Sequence, residues 1–289
     1  MASARTTRTP MPPLRRRIGP ILGLLLLSPI CAEYLIGYLE VMGDPVELLG
    51  GLLILAPLYG TAAVMIREVI RGTGRGWLSI LLLSAAFGVI QAGLVDQSLF
   101  NPDYGLAVLV IFHEHTRDFM ASPAQLGAAA AVAVALATAA FLVPRRRAPR
   151  RAGWVPAPWL AGGVAMALMT VHHLLPPSRP GTVLDLLTLV LLGGLVVRWS
   201  RRAGWGRGHV LAVGGAALVA NAALSFMVEP LGEVSYTAKY AANAVLMLGV
   251  LALLLWARRR LSETGPERDG LDCRADTAVR GSLSQPVAD

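Results

Sequence analysis

Polar residues inside otherwise apolar segments are the first places to look for chemistry in this chain. Each charge near the middle of a bilayer costs at least about 2.5–3.5 kcal/mol, so such residues are kept for a reason. Carboxylates could act as general bases, histidines could bind metal, and amides could hold a ligand by hydrogen bonds. The candidates that lie in or beside apolar segments are Glu33, Gln91, Asp96, His113, His172, Asn221, Glu229 and Lys239.

These candidates gather toward one end of the segments that carry them. Glu33, Gln91 and Asn221 lie deepest, while His172 closes one segment and Lys239 opens another. We therefore expect an externally facing polar crevice between helices. The alternative is that these residues are bathed in lipid headgroups at the membrane interface and form no common site.

The run from His113 to Arg117 is compared with the zinc-binding motif of metalloproteases. A zincin would carry His-Glu-x-x-His on one helical face, but Arg117 occupies the position of the second histidine. His172 and His173 are adjacent and point about 100° apart on a helix, so both cannot face one ion. A zinc site assembled from separate helices stays open, but we predict no metal and no cofactor.

The elements that position these residues are long apolar segments in a chain that is 55% hydrophobic and 15% charged. A soluble fold of this composition would expose apolar patches far larger than those of soluble monomers. A helical span needs about 20 apolar residues. The segments that qualify are roughly 18–38, 46–66, 77–96, 121–143, 154–174, 181–198, 209–228 and 236–257. We predict an all-α polytopic transmembrane bundle of about eight spans.

Basic residues alternate between the gaps that separate these segments. All but three of the 26 basic residues fall on alternate gaps, the exceptions being Arg117, Arg179 and Lys239. Lys and Arg are retained in cytoplasmic loops, so the pattern predicts that both termini lie inside. The same topology explains the net charge of +8 without nucleic acid as a partner.

The pattern divides the chain into three parts. Residues 1–17 are expected to form a basic cytoplasmic segment, residues 18–260 the transmembrane domain, and residues 261–289 a disordered cytoplasmic tail. Residues 105–112 are apolar but too few to cross the membrane, so we expect a re-entrant or interfacial segment there. Lys239 is the only lysine, and the chain is rich in Ala and Gly. This bias suggests a bacterial source and therefore the bacterial plasma membrane.

One stretch carries a family resemblance, between Pro57 and Tyr104. Its motifs are Pro57-Leu58-Tyr59-Gly60, Ile66-Arg67-Glu68-Val69, Arg75-Gly76-Trp77, Ala86 to Leu94 and Ser98-Leu99-Phe100-Asn101-Pro102, with Phe112-His113 downstream. The stretch resembles a family of uncharacterised bacterial multi-pass proteins. In relatives of that family the third span carries a Glu-Glu pair, and this pair is more distantly similar to that of the CPBP (CAAX-protease-like) intramembrane proteases. Gln91-Ala92 stands where that pair would be.

This departure decides which function is favoured. The side chain of Gln91 is a neutral amide that cannot take a proton from water, and the methyl group of Ala92 is unreactive. The glutamate-dependent mechanism that the resemblance implies is therefore lost, unless Glu33 or Asp96 acts as the base instead. We favour a non-enzymatic protein that binds or moves a small or lipid-like ligand in the crevice. A catalytically degenerate relative of the proteases and a structural or assembly factor stay open. Gln91 is expected to bond to a neighbouring helix through Glu33, His113 or Asn221.

Overall fold

A computed structural model describes residues 14–39, 41–100, 120–145, 151–176, 178–230 and 234–263. Helices form the regular structure of these residues, apart from one isolated bridge between Arg151 and Arg202. We number the long helices α1 to α8 in chain order. They are α1 (Leu14–Ala32), α2 (Pro45–Thr73), α3 (Trp77–Val95), α4 (Pro123–Leu142), α5 (Pro158–Leu174), α6 (Arg179–Ser200), α7 (Arg207–Leu224) and α8 (Tyr236–Glu263).

Helix length confirms a polytopic membrane fold. Over the described part of the chain, seven helices are long and apolar enough to cross a bilayer. The one predicted span outside these seven, residues 154–174, corresponds to α5, which has 17 residues. At a rise of about 1.5 Å per residue such a helix covers roughly 25 Å, at the short end of what spans a membrane.

Helix starts follow capping chemistry. Asp44 accepts hydrogen bonds from the backbone of Val46 (2.8 Å) and Glu47 (3.1 Å) at the start of α2. Ser122 caps α4 through a capping box with Gln125, and Ser178 caps α6. Each cap satisfies backbone N–H groups that have no partner within the helix. All three capped helices begin on the side that the arginine pattern predicts to be external.

Small residues occupy the helix interfaces, and large apolar residues face outward. Ala161 and Ala165 on α5 have no exposed surface, whereas Leu49 and Leu53 on α2 are 66% and 79% exposed. A Cβ added at Gly162 would lie 3.1 Å from the backbone oxygen of Ala212 on α7. This arrangement is typical of helices that pack in lipid, where close backbone approach drives association.

Each long helix packs against at least one other long helix of the bundle. The helix α1 packs on α2, α3 packs on both α2 and α4, and α5 packs on α6 and α7, with α8 against α7. A 3₁₀ turn over Tyr34–Ile36 follows α1 and contacts α7 and α8. Gly37, with φ 76°, allows this turn to sit against Ser225 and Asn243, where a Cβ would lie 2.8 Å from Ser225 Cβ.

Several predicted boundaries are corrected by this fold. The first span was predicted to run to residue 38, but α1 ends at Ala32 and the chain turns at Glu33. The second was predicted to end at residue 66, but α2 continues to Thr73, so Arg67 and Arg71 lie within it.

The last two helices also differ from their predicted ends. The seventh ends at Leu224 and not at residue 228, since Ser225 and Met227 form a turn. Helix α8 continues past residue 257 to Glu263. Residues 105–112 and 264–289 lie outside the described residues.

Candidate functional site

Glu33 lies in the interior of the bundle, at the point where α1 gives way to the 3₁₀ turn. Only 5% of the Glu33 surface is exposed. One carboxylate oxygen accepts a hydrogen bond from the hydroxyl of Tyr38, and the other accepts one from the hydroxyl of Tyr59 on α2. An interior-facing Glu33 is what the sequence predicted, because a carboxylate facing lipid would have to neutralise or draw in water.

Two π-helical turns supply the neighbours of Glu33. Tyr59 lies in the turn Ala56–Gly60 within α2, and Gln91 begins the turn Gln91–Val95 at the end of α3. A π turn inserts one extra residue into the helix and reorients the side chains around it, and such turns are frequent at functional sites. The ring of Tyr59 packs edge-on against Phe87 of α3, with 5.8 Å between ring centroids.

Gln91 reaches the cluster through Tyr59. Its amide is hydrogen-bonded to the Tyr59 hydroxyl, which in turn donates to Glu33. The amide oxygen Oε1 is buried and has no hydrogen-bond partner among the described residues. Of the partners expected for Gln91, Asn221 bonds instead to His173, Glu33 is linked to Gln91 only through Tyr59, and a contact with His113 stays a prediction because His113 lies outside the described residues.

Asp96 completes this group, which we call the tyrosine–carboxylate cluster (Glu33, Tyr38, Tyr59, Gln91 and Asp96). The carboxylates of Asp96 and Glu33 are close enough to interact electrostatically. Asp96 itself accepts hydrogen bonds from the backbone (3.0 Å) and hydroxyl (2.7 Å) of Ser98, so it is held in the turn after α3. The cluster is therefore rich in acceptors.

His172 and Asn221 belong to a second group, between α5, α6 and α7. His172 bonds to Asp185, while His173 bonds to Asn221 with a distance of 2.7 Å between Nε2 and Oδ1. The two imidazole rings are 4.7 Å apart. The adjacent histidines thus bond to different helices, because neighbouring residues on a helix point about 100° apart.

Lys239 belongs to a third group, where α8 begins. It is 1% exposed, donates to the carbonyl of Val228, and lies 5.4 Å from the ring centroid of Tyr240. Glu229 lies near enough to interact with it electrostatically. The neighbouring Asn243 donates to the Ser225 carbonyl at 3.1 Å. A buried ammonium needs such partners to remain charged.

The tyrosines that organise the first cluster were not among the residues predicted from the sequence. A buried tyrosine hydroxyl needs a hydrogen-bond partner, so Tyr59 inside an apolar run was a usable signal. Tyr38 follows a glycine and carried no comparable signal. His173 and Asp185 were not among the candidate residues, and their bonds to Asn221 and His172 depend on how α5, α6 and α7 pack together.

The chemistry available to the tyrosine–carboxylate cluster is hydrogen-bond acceptance. Both oxygens of Glu33 accept a hydrogen bond from a tyrosine, and each keeps a second lone pair for another donor. Across the part of the chain that the structure describes, no group of three or more His, Cys, Asp or Glu is arranged to hold a metal ion. Oε1 of Gln91 remains the buried acceptor that a ligand could use.

These features define the class of the protein as an all-α, multi-pass membrane protein with a buried polar cluster. No protein-family model, curated protein or solved structure matches the chain. The resemblance to the CPBP proteases therefore stays a prediction that depends on the motifs between Pro57 and Tyr104.

Proposed function

We propose that this protein binds or moves a small or lipid-like ligand whose polar group donates hydrogen bonds, and that the tyrosine–carboxylate cluster receives that group. The observation that carries the proposal is the buried Oε1 of Gln91, which has no hydrogen-bond partner among the described residues and whose amide shares Tyr59 with the Glu33 carboxylate. A buried acceptor without a partner costs about 1–3 kcal/mol, and a ligand N–H or O–H would remove that cost.

The charge of the cluster selects the kind of ligand. Glu33 and Asp96 are both acidic and interact electrostatically. Among the described residues, no basic side chain is bonded to either carboxylate. An amine or hydroxyl group matches this site, whereas a carboxylate or phosphate would be repelled. The exposed apolar side chains of α1 and α2, such as Leu26 and Leu53, suit an alkyl chain, so amphiphiles with a small donor head are the favoured class.

The cellular setting belongs to the same proposal. The bias toward Arg over Lys and the Ala and Gly content support a bacterial source. The alternating basic gaps support a plasma-membrane protein with both termini in the cytoplasm and the cluster near the external face. The protease-like alternative requires a glutamate pair as its base, and Gln91-Ala92 stands in that place.

The experiment compares three amphiphiles of equal chain length on the purified protein in lipid nanodiscs. Octylamine, octanol and octanoate differ only in their head group. At tenfold excess over its dissociation constant, octylamine should raise the unfolding midpoint by roughly 2–5 °C, octanol should have a smaller effect and octanoate none. Equal stabilisation by all three would show partitioning into apolar surface and would contradict the proposal.

A matched pair of variants locates the effect. Glu33→Gln removes the buried carboxylate and should abolish stabilisation by octylamine. Glu47→Gln removes an exposed carboxylate at the start of α2 and should leave it unchanged. An unchanged response in Glu33→Gln would place any binding elsewhere.

A further inference from the structure

A groove lies at the opposite end of the bundle from the tyrosine–carboxylate cluster, between the start of α7 and the end of α8. Its volume is about 490 Å³. The residues that line it are Arg207, Val210, Leu211, Trp256, Ala257, Arg260 and Leu261. We call it the α7–α8 groove. Its position is set by the arginine-rich ends of both helices, where a bilayer would present its headgroups.

Positive charge dominates the mouth of this groove. Arg207 is the first residue of α7, and Arg260 lies in the last turns of α8. The guanidinium of Arg260 lies over the ring of Trp256, 5.6 Å from its centroid. Glu263 approaches Arg260 at 3.8 Å, but both side chains are 65% exposed and the contact is weak. Two guanidinium groups and no carboxylate belong to the residues that line the groove.

The wall below this charge is apolar and open. Val210 is 38% exposed and Trp256 is 56% exposed. One turn deeper on the same face of α7, Gly214 has open space where a side chain would project. Tryptophan and arginine at a membrane interface bind the headgroup region, and apolar residues beneath them contact acyl chains.

We propose that the α7–α8 groove binds one anionic phospholipid. Its phosphate lies between Arg207 and Arg260, and the first part of one acyl chain lies along Val210 and Leu211. Basic pockets between transmembrane helices on the cytoplasmic side favour anionic headgroups. A soluble anion would use the arginines but would gain nothing from the apolar wall. This inference is independent of the proposed ligand at Glu33.

The test is native mass spectrometry of the full chain released from nanodiscs that contain equal parts of phosphatidylglycerol and phosphatidylcholine. The wild type should retain one phosphatidylglycerol. The double variant Arg207→Gln/Arg260→Gln should bind it roughly 30-fold more weakly, because each interfacial arginine contributes about a factor of five. The control Arg201→Gln/Arg258→Gln removes the same charge from exposed residues outside the groove and should retain the lipid.

A second variant separates the groove from general surface charge. Val210→Trp fills the wall, keeps both arginines and should also lose the lipid, and added inorganic phosphate should not displace it from the wild type. The proposal would be overturned if both arginine double variants lost phosphatidylglycerol equally. It would also be overturned if the wild type retained phosphatidylcholine as well as phosphatidylglycerol, or if inorganic phosphate displaced the lipid completely. Loss of a protein dimer instead of a lipid would assign the groove to a second copy of the chain.

Discussion

At the scale of single residues, Glu33 shows how a carboxylate is accommodated inside a membrane fold. Two tyrosine hydroxyls donate to its two oxygens, and hydrogen bonds to charged acceptors are stronger than those to neutral ones. The sequence could predict that Glu33 and Gln91 face inward, since both interrupt apolar runs. It could not predict that Tyr59 would join them, because that contact depends on how α1, α2 and α3 pack.

Tyr59→Phe tests this arrangement. The change keeps the aromatic ring against Phe87 but removes the donor to Glu33 and the partner of Gln91. We expect a loss of about 1–3 kcal/mol in the free energy of unfolding, which a lowered thermal midpoint in nanodiscs would report.

The control for that change is Tyr240→Phe, since Tyr240 is 43% exposed and its ring is retained. It should alter the midpoint little. If the two variants behave alike, the Tyr59 hydroxyl does not stabilise the buried carboxylate.

At the scale of elements, hydropathy predicted which segments form helices but not where they are interrupted. Eight predicted segments correspond to α1 to α8, yet the end of α1 at Ala32 and the π turns in α2 and α3 had no signal in composition. In the turn Ala56–Gly60, the backbone of α1 comes so close to Gly60 that a Cβ would lie 2.6 Å from the oxygen of Leu25. Such a contact is a property of the packed pair of helices.

Gly60→Ala should therefore separate α1 from α2 and disturb the position of Tyr59. We expect destabilisation of about 1–3 kcal/mol, the usual range for overpacking in a close interface. Thermal unfolding in nanodiscs is the measurement.

Gly72→Ala, in the same helix, is the reference because a Cβ there meets nothing within 4 Å. It should be neutral or slightly stabilising, since alanine favours helix more than glycine does. Similar destabilisation by both changes would argue against close packing at Gly60.

At the scale of the whole molecule, the distribution of residue size and charge agrees with a bundle in lipid. Alanine and glycine fill the interfaces, leucine and valine face outward, and arginines mark alternate helix ends. Composition alone predicted this architecture, because burial in lipid leaves few alternatives to helices. Which polar residues meet one another was beyond such prediction, as the pairing of His173 with Asn221 illustrates.

Membrane orientation is tested by cysteine labelling in intact bacteria, after replacing Cys31 and Cys273 with serine. Glu47→Cys, in the first turn of α2, should react with an impermeant maleimide from outside. Arg201→Cys, between α6 and α7, should react only after the membrane is opened. The reverse pattern would invert the topology, and labelling of both positions from outside would contradict an even number of spans.

The most direct test of the central proposal is to locate a bound donor-head amphiphile. A photoreactive octylamine analogue, with a diazirine in its alkyl chain, is crosslinked in nanodiscs and the labelled peptides are identified by mass spectrometry. Labels should fall on the segments of α1, α2 and α3 around Glu33, Tyr59 and Gln91, and excess octylamine or the change Glu33→Gln should suppress them. Labels spread over the lipid-facing surfaces, and unaffected by Glu33→Gln, would contradict a ligand site at the tyrosine–carboxylate cluster.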